Sequence, residues 1–296
     1  MNKLFKILLI LLLTKCSFSQ ENTVFNYNYP LEWNYDCQTM VMHNGNYLFS
    51  GNIARTTEAC EYWLFGYHVT KINEDGSHDT TIIFDKCNQT TYIGWKNSFL
   101  AKDNLFFING LIYNETNKST FYLLSLNEVF DTIANHILYE DTITKRNLSM
   151  YLSHNEEIII CGQIDSTYNE INGLPETTYT KSLLISADTN GNILWSKSYS
   201  FGDISDGCWS VFYRVIPTHD SGYIAIGITH DFGNRKALIV KTDSLGNQQW
   251  FRTYGNSAYD NPGFSDIIPT RDSCYIVCGA YTYGETFGGL YPYDGW

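Results

Sequence analysis

Positive charge is scarce in this 296-residue chain: 19 Lys and Arg stand against 31 Asp and Glu, a net charge of −12 with histidine neutral. A surface of that sign argues against nucleic-acid binding, which wants a basic face, and against an anionic membrane surface. Long apolar runs are lacking too. The unbroken run Ile7–Leu13 is far below the ~20 residues that span a bilayer, and no later segment approaches membrane length. Helical 3.6-residue periodicity is not found, so helical repeats are excluded. The chain also lacks a nucleophile elbow G-x-S-x-G, a phosphate loop, a dinucleotide glycine motif and an H-E-x-x-H zinc motif. Its seven histidines (His43, His68, His78, His136, His154, His219 and His230) are scattered, with no pair at metal spacing, and read as loop or surface residues. No catalytic, cofactor-binding or metal-ligating residue is assigned, and no cofactor is implied.

What stands at the N-terminus is a three-part leader. Lys3 and Lys6 give the charged start, Ile7–Leu13 the apolar core, and Ser17-Phe18-Ser19 the small residues of a cleavage site. Residues 1–19 therefore read as a secretory signal peptide, with Gln20 as the mature N-terminus. Lys15, directly before Cys16, spoils a lipoprotein signal. Without the three leader lysines, 16 basic residues face 31 acidic ones, so the mature charge is −15. Export permits disulfides, and seven cysteines remain: Cys37, Cys60, Cys87, Cys161, Cys208, Cys274 and Cys278. Cys274 and Cys278 share one strand face about 13 Å apart by strand rise, too far to bond each other. Cys60 with Cys87 is the most plausible bridge. Cys161 and Cys278 sit directly before repeated glycines and read as small buried hydrophobes.

The mature chain is organised by repetition. Ser210–Tyr254 holds four short apolar runs, VFYRVI, YIAIGIT, ALIVKT and QQWFRTY, separated by turn-forming PTHDSG, HDFGNRK and DSLGN. Such runs read as four antiparallel strands. Phe264–Thr282 repeats the first half at an offset of 52, and Leu183–Tyr199 repeats the second half at an offset of 55. Fainter copies surround marker glycines Gly51, Gly110 and Gly162, which with Gly227 and Gly279 are spaced by 59, 52, 65 and 52 residues. One such sheet leaves both faces uncovered, so the units must stack on each other. The period suits one four-stranded blade, and the expected fold is all-β: a β-propeller of four-stranded blades with about five units visible, the last incomplete. The units run Cys37–Lys86, Cys87–Glu140, Asp141–Phe201, Gly202–Asn256 and Ser257 onward. Residues 20–36 form an N-terminal strand segment before the repeats of 37–296, and Asn169–Thr180 reads as a surface loop. The last unit has its first two strands; truncation before its third is the favoured reading, with closure by Val24–Trp33 as the alternative. The marker glycines are expected where a neighbouring sheet comes too close for a side chain.

Carboxylates recur mainly at turns. Asp188, Asp220, Asp243 and Asp272 are best explained as turn formers bonding nearby amides. Asp188–Asn192 lacks the remaining ligands of a calcium loop. Trp195 and Trp250 recur at one repeat position and are expected to pack between blades rather than to stack sugars. The segment Ala187–Trp195 is similar to the tryptophan-docking motif of quinoprotein propellers, but one residue short, and its Asp-to-Gly spacing also departs from the sialidase-type Asp box. DSGYIAIGIT followed by KALIVKTDSLGNQQWFRTYG resembles the delta-60-like propeller repeats of secreted Bacteroidota proteins, well over Lys181–Thr282 and weakly over Cys37–Gln163. That resemblance implies a secreted or cell-surface propeller, often associated with type IX secretion, and supplies no catalytic residues.

The expected function is a non-enzymatic extracellular binding or display module for a protein or glycan ligand. The alternative is a propeller hydrolase or quinoprotein-like enzyme acting on glycans or alcohols. An axial channel lined by carboxylates and arginines favours the enzyme; one lined by Ser, Asn and small apolar residues favours the module. For the leader, mass spectrometry of the exported protein should find Gln20 first, and a lipid-modified Cys16 would overturn that reading.

Overall fold

The computed structural model describes residues 34–35, 39–57, 60–84, 90–93, 99–113, 119–141, 149–153, 155–168, 177–201, 209–231, 234–255, 262–282 and 293–295. Every element among them is a β-strand, and no helix there is long and apolar enough to cross a membrane. The leader and the Val24–Trp33 segment lie outside the described residues, as do the side chains of Cys60 and Cys87.

The strands form five sheets in chain order. The first comprises β1 (Asn34–Tyr35), β2 (Thr39–His43), β3 (Asn46–Thr57), β4 (Cys60–Ile72) and β5 (His78–Phe84). The second comprises β6 (Thr90–Ile93), β7 (Phe99–Lys102), β8 (Leu105–Tyr113), β9 (Ser119–Leu126) and β10 (Thr132–Asp141). Two plain four-stranded meanders follow: β11 (Ser149–Leu152), β12 (Ile158–Tyr168), β13 (Thr177–Ala187) and β14 (Ile193–Tyr199), then β15 (Trp209–Pro217), β16 (Tyr223–Asp231), β17 (Asn234–Thr242) and β18 (Gln248–Tyr254). The fifth sheet is incomplete: β19 (Gly263–Pro269) and β20 (Tyr275–Thr282) form a hairpin, and three-residue β21 (Tyr293–Gly295) pairs with the end of β20. All pairings are antiparallel, as the hairpin turn residues dictate. The loop expected at Asn169–Thr180 is shorter than the sequence suggests, because Thr177–Thr180 extend β13 against Asp165–Tyr168 of β12.

These sheets stack face to face as blades. Four apolar clusters occupy the four seams, one between each successive pair of blades. In the fourth blade Tyr223 and Ala225 face the third blade, while Ile224 and Ile226 face the fifth. A strand buried on both sides needs apolar residues at every position, which is why YIAIGI does not alternate. Each fully buried Ile or Phe contributes about 1.5–3 kcal/mol. First strands touch first strands around the arc, β2 to β7, β7 to β11, β11 to β15 and β15 to β19. They are the innermost strands, and β18, exposed along its length, is an outer edge. The architecture is the β-propeller expected from the repeats.

The innermost strands share one irregularity. In the fourth blade a bulge lies between Phe212 and Arg214, and in the fifth a matching one lies between Phe264 and Asp266. In the first blade pairing stops at Thr39–Ser50 and resumes at Tyr35–Ile53; in the second it stops at Phe99–Ile108 and resumes at Ile93–Gly110. In the third, Ser149 pairs with Cys161, the residue before Gly162. Every break falls at or beside a marker glycine. At Gly227 and Gly279 the close approach comes from within the blade, not from the neighbouring sheet as expected. A Cβ on Gly227 would stand 1.9 Å from the Val211 carbonyl oxygen, and one on Gly279 would stand 2.1 Å from that of Gly263. Gly227→Ala should lower stability by at least about 1–3 kcal/mol through overpacking, and Gly279→Ala should behave alike. Urea or thermal denaturation checks both; an unchanged midpoint would refute the close-approach account.

Candidate functional site

Within an antiparallel meander, turns between first and second strands and between third and fourth strands fall at one end of the blade. Those at this end are well built. Asp243 Oδ1 accepts the Leu245 and Asn247 amides at 2.9 and 2.7 Å, and its Oδ2 accepts Asn247 Nδ2 at 2.8 Å. Asp188 repeats the pattern with Asn190 and Asn192. Both are turn formers, as the sequence indicates, and amide donation holds their carboxyls below the usual range. Asp220 accepts from Thr218 Oγ1 and pairs with Lys241 at 2.9 Å, which together bring its carboxyl down to about 2.

Outer-strand side chains reach from each blade to the next turn at this end. Tyr199 donates its hydroxyl to the Gly246 carbonyl at 2.6 Å, and Lys197 donates to Asn247 Oδ1. The Trp195 ring lies over Gly246, whose φ of +74° a side chain would strain, and packs 5.8 Å from Tyr223. Trp195 thus packs between blades as expected. Trp250 does not: it is 41 % exposed, with the Arg252 guanidinium 5.9 Å over its ring. Its partner by repeat would be the next third-to-fourth turn, which corresponds to no described residue. Two further expectations fail for related reasons. Cys278 is exposed, because its face of β20 meets no blade among the described residues, and His68 is buried in β4, bonded through Nδ1 to Thr70 Oγ1 at 3.1 Å.

The chemically distinctive place is the axis, at the level of the strand breaks. By register Thr39, Ser149, Arg214 and Asp266 occupy one position, each opposite the residue that precedes a marker glycine in its sequence neighbourhood. Bulges re-aim side chains and are common beside active sites. Here they bring Arg214 Nε to 3.0 Å from Asp266 Oδ1, across the seam between the fourth and fifth blades. The Arg214 side chain is 13 % exposed, that of Asp266 47 %. On the other side Arg214 stands 5.9 Å from the centre of the Tyr151 ring, on the third blade's first strand. Arg214 Nη1 and Ser149 Oγ are buried without a hydrogen-bond partner among the described residues. Cys161 lies behind them, its Sγ 3.9 Å from the Phe212 carbonyl, and burial pushes its thiol up to about 12.

Sequence reasoning assigned none of Tyr151, Arg214 or Asp266. A signal was present: at an offset of 52, Arg214 and Asp266 place opposite charges at one position of a strand that is otherwise apolar. An aligned charge swap within a repeat is a mark of neighbouring units that touch there.

No protein family description matches this sequence, and no curated protein matches it. Solved structures do share the general arrangement of strands. A thermostable family-43 glycoside hydrolase is 13% identical, covering 91% of this chain and 96% of its own, with a TM-score of 0.46. A xylan β-1,4-xylosidase from Bacillus halodurans C-125 is 12% identical over 87% of this chain and 50% of its own, at 0.42. A Synechocystis apocarotenoid oxygenase is 9% identical over 80% of this chain and 52% of its own, at 0.43.

The expectation of a non-enzymatic binding or display module is corrected here. A lining of Ser, Asn and small apolar residues favours that module, whereas the axis carries the Arg214–Asp266 pair against Tyr151.

The burial of Cys161 gives a direct check on the axial packing. A thiol raised to about 12 stays protonated at pH 8, and the thiolate is the reactive form. Peptide mapping after iodoacetamide treatment at pH 8 should find Cys274 and Cys278 labelled and Cys161 unlabelled until the protein is unfolded. Rapid labelling of Cys161 in the native protein would show the seam behind the site to be open.

Proposed function

We propose that this protein is an exported propeller hydrolase acting on glycans, with its reactive centre on the axial face of the third to fifth blades. The observation that carries this reading is the Arg214–Asp266 pair beside Tyr151, an arginine, a carboxylate and an aromatic ring from three successive innermost strands. A carboxylate and a ring side by side are what a sugar needs: an acceptor for its hydroxyls or reacting centre, and a flat apolar face. Glycoside hydrolysis uses two carboxyl groups. Asp266, whose charge Arg214 pairs with, takes the base or nucleophile role. In sequence, Asp203 and Asp206 precede the fourth first strand and Asp260 precedes the fifth, and these are the first candidates for the acid. Export through residues 1–19, and membership of the secreted repeat class that DSGYIAIGIT resembles, belong to the same proposal.

The test is reducing-end release from a panel of arabinan, xylan and galacturonan oligosaccharides by the mature protein. Asp266→Asn, which keeps the side chain's shape, should lower turnover by about 10²–10⁴-fold while the melting temperature stays within a few degrees. Hydrolysis undiminished in Asp266→Asn, or no hydrolysis of any member by the wild type, would overturn the reading.

A further inference from the structure

We propose that Arg235 binds the carboxylate of an acidic sugar, a uronate unit of the glycan, with the ring of Trp209 beside it. This deepens the hydrolase reading and rests on it for the class of ligand. Trp209, His230 and Arg235 stand in one row across three adjacent strands, since Trp209 pairs with His230 and His230 with Arg235. The row lies at the opposite end of the fourth blade from the turns and faces the fifth. There the Arg235 Nη2 would come within 3.2 Å of a Cβ on Gly263, the first residue of β19. The Arg214–Asp266 pair sits on the same face, farther along the same first strand.

Three observations point to an anion. Arg235 Nε is buried and has no hydrogen-bond partner among the described residues. A guanidinium cannot shed its proton, so a buried donor left unmade is a standing cost that a bound carboxylate removes. Four other cations differ from it in this respect. Lys71, Lys102, Arg214 and Lys241 each have a carboxylate within 3.0 Å, at Asp79, Glu156, Asp266 and Asp220. Arg235 has none among the described residues.

Among the described residues, the rings next to it carry no negative charge. The Trp209 and His230 rings stack at 5.1 Å and 20°. Burial and the nearby Arg235 cation lower the imidazole's pKa. Trp209 is half-buried and holds its indole flat against that ring. An indole face beside a fixed guanidinium matches a pyranose ring whose C5 substituent is a carboxylate: the ring stacks and the fork takes the acid bidentately. With a net charge of −12 the molecule as a whole repels a polyanion, so recognition falls to this local cation.

The experiment compares trigalacturonate with its fully methyl-esterified form, binding each to the intact mature protein by calorimetry at low salt. The two probes differ only in the charge that Arg235 is proposed to read. The acid should bind at least about tenfold more tightly than the ester. Arg235→Gln should abolish that preference, while Arg235→Lys should retain part of it. Should Arg235→Gln fail to fold, the wild-type preference alone decides. Equal affinity for acid and ester, binding of neither, or a preference for a sulfated oligosaccharide over trigalacturonate would overturn the assignment. Turnover of neutral oligosaccharides without any acid preference defeats this inference and leaves the hydrolase reading standing. Acid preference without turnover of any glycan does the reverse.

Discussion

The structure depends on one close contact: the carbonyl of an innermost strand leaning over a glycine of the strand beside it. At Val211 and Gly227 the approach leaves no room for a single methyl group. That contact is the inner face of a bulge, and the bulge is what lets a strand packed on both sides still present something to the axis. An unbroken first strand sends its side chains alternately into the two seams. Breaking it frees one residue from that alternation, and the residues at the break are the polar ones. The apolar seams and the polar axis therefore have a common origin, and the glycines that mark the repeats mark the level of the site as well.

Electrostatics at that level is unbalanced in an informative way. Arg214 is largely buried, yet its partners are one half-exposed carboxylate and one ring face. A guanidinium has five N–H donors, and Nη1 is left without a partner among the described residues, as is Ser149 Oγ on the third blade's first strand. Native interiors seldom leave such groups unmade without a purpose. The acid-paired lysines elsewhere tell the other story. The Lys241–Asp220 contact closes a hairpin and consumes both partners, together with Thr218 and the Gly222 amide. The same chemical groups serve as structure where they are satisfied and as a candidate site where they are not.

Most of the fold was legible in the sequence because the determinants are local and repeated. YIAIGI names a strand buried on both faces, and Asp-x-x-Gly-Asn names a turn whose carboxylate caps its own amides; neither needs tertiary information. The site was not legible for the converse reason. Arg214 meets Asp266 only because two blades stack, and Tyr151 joins them from a third. Gly227 and Gly279 were read correctly as places of close approach but attributed to the wrong neighbour, since a bulge of one residue leaves no compositional trace. His68 and Cys278 show the same limit in opposite directions. A histidine with Thr70 beside it can be buried, and a cysteine in an apolar strand can be exposed when its face of the sheet is uncovered.

The reach of outer-strand residues onto the following turn gives the assembly a direction. Tyr199 and Lys197 hold the Asp243–Asn247 turn of the fourth blade, and His136 lies against Gly191 of the third in the same sense. The third and fourth blades are thus each gripped by the blade before, like overlapping roof tiles laid from one side. A pull that lifts a later blade must first break the tyrosine and lysine bonds that grip it. A pull on an earlier blade instead loads those bonds along the row, sharing the strain with every seam downstream. Mechanical resistance should therefore differ with the end from which the propeller is peeled, an asymmetry written into side chains two residues apart on a single outer strand.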